Sequence, residues 1–200
     1  MKKKTSGKGF NIGFISYNSP VILTFTLISL AALILNTLTG GWSNMKLFSV
    51  YRAPLTDPLF YLRLFTHSLG HADLSHFVSN FTLILLIGPI LEEKYGGKPL
   101  VLTMVLTAFV TGLINVIFFP QTALLGASGI AFMLIILASF TNTEDKKIPL
   151  TFILVAFIYL GGEIINGIIS ADNISQMGHI IGGCCGAAAG HLFGIKKLKI

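Results

Sequence analysis

The chain has 200 residues, 53% of them hydrophobic and only 11% charged, with a mean hydropathy of +0.79. That balance excludes a water-soluble domain of this size and marks an integral membrane protein. The formal net charge of +6 does not point to nucleic acid, because the basic residues cluster at the ends of apolar runs and form no stripe with interleaved aromatics.

Taken in order, residues 1–19 form a basic tail carrying Lys2, Lys3, Lys4 and Lys8. Residues 20–38 are apolar and uncharged and predict a first span. The run is long, no A-x-A-like cleavage site follows and further spans come after it, so it reads as a retained span and not a signal peptide. The mixed stretch 39–75 holds Trp42, Tyr51, Arg52, Pro54, Pro58, Tyr61 and Arg63, a composition suited to a structure lying along the bilayer surface. Residues 77–91 predict a second span, ended by the charged stretch from Glu92 to Lys98. A third span, 100–119, stops at Pro120. Next comes the small-residue turn Gly126-Ala127-Ser128-Gly129 and an apolar run to Phe140. Residues 149–169 and 174–195 predict the fifth and sixth spans, and 196–200 form a second basic tail. Residues 20–195 thus make one all-α domain with six spans. Cys184 and Cys185 are adjacent in an apolar stretch, where a mutual disulfide is implausible, and read as packing residues.

Six spans place both termini on one side. That side collects Lys2, Lys3, Lys4, Lys8, Lys94, Lys98, Lys146, Lys147, Lys196, Lys197 and Lys199, against Lys46, Arg52 and Arg63 opposite. The asymmetry makes both termini cytoplasmic. The fourth span is too short to cross: about 14 residues from Ser128 give roughly 20 Å, against a hydrocarbon core of about 30 Å. Ser128 is therefore expected inside the membrane, towards the outer face.

Several polar residues share its depth. At about 1.5 Å per residue, Ser128 lies roughly 20 Å above Asn142, His179 roughly 24 Å above Ile195, and Asn80 and His76 roughly 17 and 24 Å above Glu92. Polar groups in hydrocarbon are costly unless they face one another or a water-filled cavity. His76 and Asn80, four apart, share a helix face. Gly178, Gly182, Gly186 and Gly190 recur every fourth residue beside His179, a stripe on which another helix can pack closely. If the fourth span packs there, His179 can serve as general base to the Ser128 hydroxyl. His76, Asn80 and the Ser128 amide are then oxyanion donors, helped by the positive end of the helix that Ser128 opens. Singly, each feature has a plainer reading: small-residue turns and structural histidines are common in membrane helices, and glycine stripes serve packing. Together, three separate segments bring complementary chemistry to one layer.

These residues resemble the rhomboid family of intramembrane serine proteases. The resemblance rests on His71-x4-His76-x3-Asn80, Leu91-Glu92-x3-Gly96, Gly126-Ala127-Ser128-Gly129 and Gly178-His179-x2-Gly182, with Tyr61-Leu62-Arg63 similar to the family's aromatic-x-Arg element in its membrane-lying first loop. It implies a six-helix bundle with a short central fourth helix. It further implies Ser128 as nucleophile, His179 as base, His76, Asn80 and the Ser128 amide as oxyanion hole, and a structural role for His71. Arg63, Glu92, Gly126, Gly129 and Gly182 belong to the motifs. Phe132 stands where many relatives carry a tyrosine, so ring stacking on His179 is kept and the hydroxyl is lost.

The implied partners are transmembrane protein substrates and the lipid bilayer, with no nucleic acid. The implied location is the plasma membrane of a prokaryote. No cofactor or metal is expected, since neither ligand spacing nor a phosphate loop occurs. Two other classes fit intramembrane polar residues: a catalytically silent relative that binds membrane proteins, and a transporter. The silent relative typically lacks the Ser or His; the transporter usually shows paired broken helices. Glu163, the one acid within a predicted span, reads as a gate residue beside Gly161-Gly162, with a hidden third triad member as the alternative.

Overall fold

The computed structural model describes residues 11–12, 15–140, 150, 153–154, 157–158 and 173–197. Apart from a two-residue strand pairing of Asn11–Ile12 with Ile15–Ser16, the ordered elements are helical. They are α1 (Pro20–Leu38), α2 (Trp42–Leu47), α3 (Pro58–Thr66), a 3₁₀ turn (His67–Leu69), α4 (Leu74–Tyr95), α5 (Gly97–Phe118), α6 (Ser128–Ser139) and α7 (Asn173–Lys197). The predicted fifth span, with Gly161, Gly162 and Glu163, lies outside the described residues except at isolated positions.

Among the described residues α1, α4 and α5 are long and apolar enough to cross a membrane. At 25 residues α7 is longer than any of them, but its glycines and two histidines dilute its hydropathy. Leu27, Ile34, Leu86, Ile90, Leu102 and Phe118 project outward, while Arg63, His67, His71, Asn80, Glu92 and Asn115 are buried. Such a distribution is unfavourable in water and natural in lipid, where polar groups must find partners inside the protein.

Charge ends a span without ending its helix. Glu92, Glu93 and Lys94 were expected in a connection after residue 91, yet α4 continues through Tyr95 and α5 begins at Gly97, leaving Gly96 as the whole link. Its φ of +86° supplies the reversal, and Pro99 sits in the first turn of α5, where a missing N–H costs nothing. Extending α4 gives Glu92 its use. Its carboxylate accepts hydrogen bonds from the Val21 and Ile22 amides at 3.0 and 3.1 Å, neutralising the start of α1, while Ile22 packs on Gly88 one turn earlier.

The stretch between α1 and α4 is folded by polar ties. Asp57 caps α3 through the Leu59 amide and pairs with the Arg63 guanidinium at 2.7 Å, and that hydrogen bond holds the Asp57 carboxyl below the usual carboxylate range. Arg63, 2% exposed, also donates to the Lys46 carbonyl and lies over the Tyr51 ring. Tyr61 stays half-exposed and donates to the Leu55 carbonyl. Trp42, Leu55, Leu62 and Phe65 are exposed around this core.

At the centre, α6 is apolar all round and buried on nearly every side by α4, α5 and α7. Its 12 residues give a length of about 18 Å at the helical rise. The closest neighbour is α7, whose small residues meet the α6 backbone: Gly182 faces the Gly129 carbonyl, Gly186 the Met133 carbonyl and Gly190 the Phe140 ring. Cys184 is exposed on α7 and does not pack; only Cys185 is half-buried.

Candidate functional site

Ser128 is the first residue of α6, so by helix geometry its amide and those of Gly129 and Ile130 have no acceptor inside the helix. Ala127 occupies the N-cap and offers no side-chain cap. A helix start that most proteins would close with Ser, Thr, Asp or Asn is here left to an outside acceptor.

The turn before it is fixed from three directions. Val50 and Leu124 exchange two backbone hydrogen bonds of 2.9 Å, joining the turn to the stretch between α2 and α3. Asn115 on α5 donates to the Val50 and Thr122 carbonyls. The Gly126 amide donates to the His67 carbonyl at 2.9 Å. His67 is itself buried, with its Nε2 2.9 Å from the Ala108 carbonyl on α5. Burial pulls its pKa down to about 4, so it stays neutral at physiological pH.

Gly126 has φ +124°, a conformation L side chains rarely adopt, and a Cβ there would stand 2.8 Å from the His76 Nε2 and 3.9 Å from the Asn80 Nδ2. The glycine lets α4 bring both side chains against the start of α6. Asp73 caps α4 by accepting from the His76 amide, and Asn80 is buried one turn further on.

From the other side, His179 on α7 stacks flat on Phe132, ring centroids 4.2 Å apart and planes within 6°. Phe132 is one turn after Ser128. A Cβ on Gly129 would be 3.3 Å from the Gly178 carbonyl oxygen, so α6 and α7 touch at the level of Ser128 itself. Ser128, His76 and His179 are each half-buried. A cavity of about 10 Å³, room for roughly one water, reaches Ser128 between Ser68, Thr111, Gly126 and Gly178.

The polar residues expected at one depth therefore do gather around one helix start: His76 and Asn80 from α4, Ser128 from α6, His179 from α7. His71 lies just behind. It is fully buried, edge-on to His76 at 5.0 Å and to Phe77 at 5.3 Å, with its Nδ1 3.2 Å from the Leu69 carbonyl, and its own carbonyl accepts from Asn44. Arg63 belongs instead to α3, paired with Asp57, and Glu92 to the clamp on the start of α1. Sequence reading missed His67 and Asn115, which hold the turn. His67 lies four residues before His71 and Asn115 inside an apolar run, and neither position by itself signals that role.

No group of three or more His, Cys, Asp or Glu residues among the described ones is arranged to hold a metal ion. The chemistry to hand is a hydroxyl at a helix start, two imidazoles and a carboxamide.

No individually curated protein matches the chain. The family description of the Rhomboid domain matches residues 59–196, a stretch running from α3 into the last turn of α7 and taking in the four residues around the α6 start. With that match over most of its length, the chain belongs to the rhomboid family of membrane proteins.

Proposed function

We propose that the protein is an intramembrane serine endopeptidase that cleaves transmembrane helices of membrane-protein substrates near the extracytoplasmic face, using a Ser128–His179 dyad. The observation that carries this reading is the flat stack of His179 on Phe132, which fixes the imidazole one turn from Ser128. In the proposed reaction the Ser128 Oγ attacks the scissile carbonyl carbon while His179 takes its proton. The oxyanion that forms is held by the Ser128 amide, His76 and Asn80. Collapse breaks the C–N bond, His179 returns the proton to the departing amine, and water then releases the acyl group by the same steps in reverse order.

In this reading the chain spans the membrane six times, with both termini cytoplasmic on the lysine count given above, and sits in the plasma membrane of a prokaryote. Substrate helices approach from the lipid and unwind at Gly, Pro or polar residues, because an intact helix hides its carbonyls in hydrogen bonds. The crowded glycine surroundings favour a small residue before the scissile bond.

Incubation of detergent-solubilised protein with a fluorophosphonate probe tests the reading directly. Labelling of wild type and none of Ser128→Ala is expected; an unlabelled wild type that still binds membrane proteins would identify a silent relative. Asn80→Ala is expected to lower turnover by about 10²-fold, the usual cost of one oxyanion donor. Turnover near wild type would remove Asn80 from that role. For Glu163, activity of the Glu163→Gln variant is expected within about tenfold of wild type, whereas loss of a true orienting acid costs about 10⁴. A folded, substrate-binding Glu163→Gln variant with turnover down by that larger factor would replace the dyad with a triad and end the gate assignment.

A further inference from the structure

We propose that the groove between α5 and α7 at the lysine-rich end of the bundle binds one anionic glycerophospholipid. The cavity measures about 840 Å³ and lies far from Ser128, at the opposite end of α5 and α7. Its mouth carries Lys94 and Lys98, both exposed, from the last turn of α4 and the first turn of α5. Tyr95 forms the rim, with the Lys94 Nζ 5.8 Å from its ring centre and the Phe193 ring 4.9 Å away on α7. By sequence, α7 ends just beyond in Lys196 and Lys197.

Below the rim the walls turn apolar. Leu106 and Leu192 line them, and the two threonines present are already satisfied: Thr103 donates to the Pro99 carbonyl and Thr107 to the Thr103 carbonyl, each at 2.8 Å. Cations and a phenol at one end, with hydrocarbon along the rest, match a phosphate headgroup above acyl chains. A soluble polar ligand would find nothing to bond with inside.

The charge at the mouth selects among lipids. A basic pocket between helices gains affinity for anionic headgroups with each lysine, and two of them should favour phosphatidylglycerol over phosphatidylcholine by about 30-fold. Native mass spectrometry of the full chain in neutral detergent, titrated with each lipid in turn, reads this directly. Wild type is expected to retain one phosphatidylglycerol per chain and to show that preference. Lys94→Gln/Lys98→Gln should bind the two lipids alike, and Leu106→Trp, which narrows the groove, should bind both more weakly than wild type.

Fluorophosphonate labelling at Ser128 and the thermal midpoint check that each variant is folded. Should the double variant not fold, Lys94→Gln and Lys98→Gln taken singly are expected each to remove about half of the preference on a logarithmic scale. Equal retention of both lipids by wild type, phosphatidylglycerol binding unchanged by the lysine substitutions, or a dimer in place of a lipid adduct that Leu106→Trp abolishes would each overturn the assignment.

Discussion

Ser128→Ala and His179→Ala are each expected to lower cleavage of a transmembrane reporter substrate by about 10⁴-fold or more, and the double variant by no more than the worse of the two. The reason is functional unity. Without the imidazole the hydroxyl keeps its proton and attacks poorly; without the hydroxyl the imidazole has no proton to take. What remains in any of the three is the helix start with His76 and Asn80, which can polarise a bound carbonyl without attacking it. A double variant far slower than either single would show two independent contributions and end the dyad. Phe132→Leu gives a finer reading of the same pair. It removes the stacked ring while leaving Ser128 and His179, the proposed nucleophile and base, so its loss should appear in turnover as His179 gains freedom to tilt.

The second large effect concerns the packing of α6 on α7. A Cβ added at Gly182 would overlap the Gly129 carbonyl oxygen and stand 2.9 Å from the Gly129 Cα. These are backbone atoms, which no rotamer change can move aside. Gly182→Ala is therefore expected near the upper end of overpacking costs, about 3 kcal/mol, or a thermal midpoint lower by about 6–12 °C for a chain of this size. It should also lose fluorophosphonate labelling, because the displaced residue adjoins Ser128.

Gly183 is the matched control. A Cβ there meets only the Ile136 Cγ1 at 3.6 Å, an ordinary contact. Gly183→Ala is expected to be neutral or to stabilise by up to about 1 kcal/mol through helix propensity. Equal midpoints for the two variants would show that α7 does not approach α6 as closely as described.

The spacing of apolar and charged residues located the helices well, because in lipid the length of an apolar run is itself the constraint. Residues 20–38 became α1 with the same ends, and 174–195 became α7 extended by one and two residues. Where the expectation failed, at Glu92 to Lys98, charge was read as a helix stop. Charge fixes where hydrocarbon ends, while a helix ends where its backbone turns, and only Gly96 does that.

The grouping of His76, Asn80, Ser128 and His179 was legible because four costly polar groups at one depth demand company. What holds the group was not. The Val50–Leu124 exchange is made of backbone groups, Asn115 donates to the Val50 and Thr122 carbonyls and accepts from the Thr122 hydroxyl, and His67 acts through its own carbonyl on Gly126; none of these leaves a mark in composition or spacing.

The clamp that Glu92 makes on the start of α1 sets an order of events during synthesis. Donor and acceptor are 70 and 71 residues apart. At about 5–20 residues per second, roughly 4–14 s pass between the emergence of Ile22 and that of its acceptor. Throughout that interval the first span sits in the bilayer with its leading amides held by water or headgroups. It can meet α2 and the 3₁₀ turn before α4 arrives, but its leading amides gain their carboxylate only with Glu92, once the whole stretch between α1 and α4 has been made. A ribosome stalled before Glu92 would leave α1 inserted but unclamped, open to whatever membrane protease or chaperone surveys orphan spans.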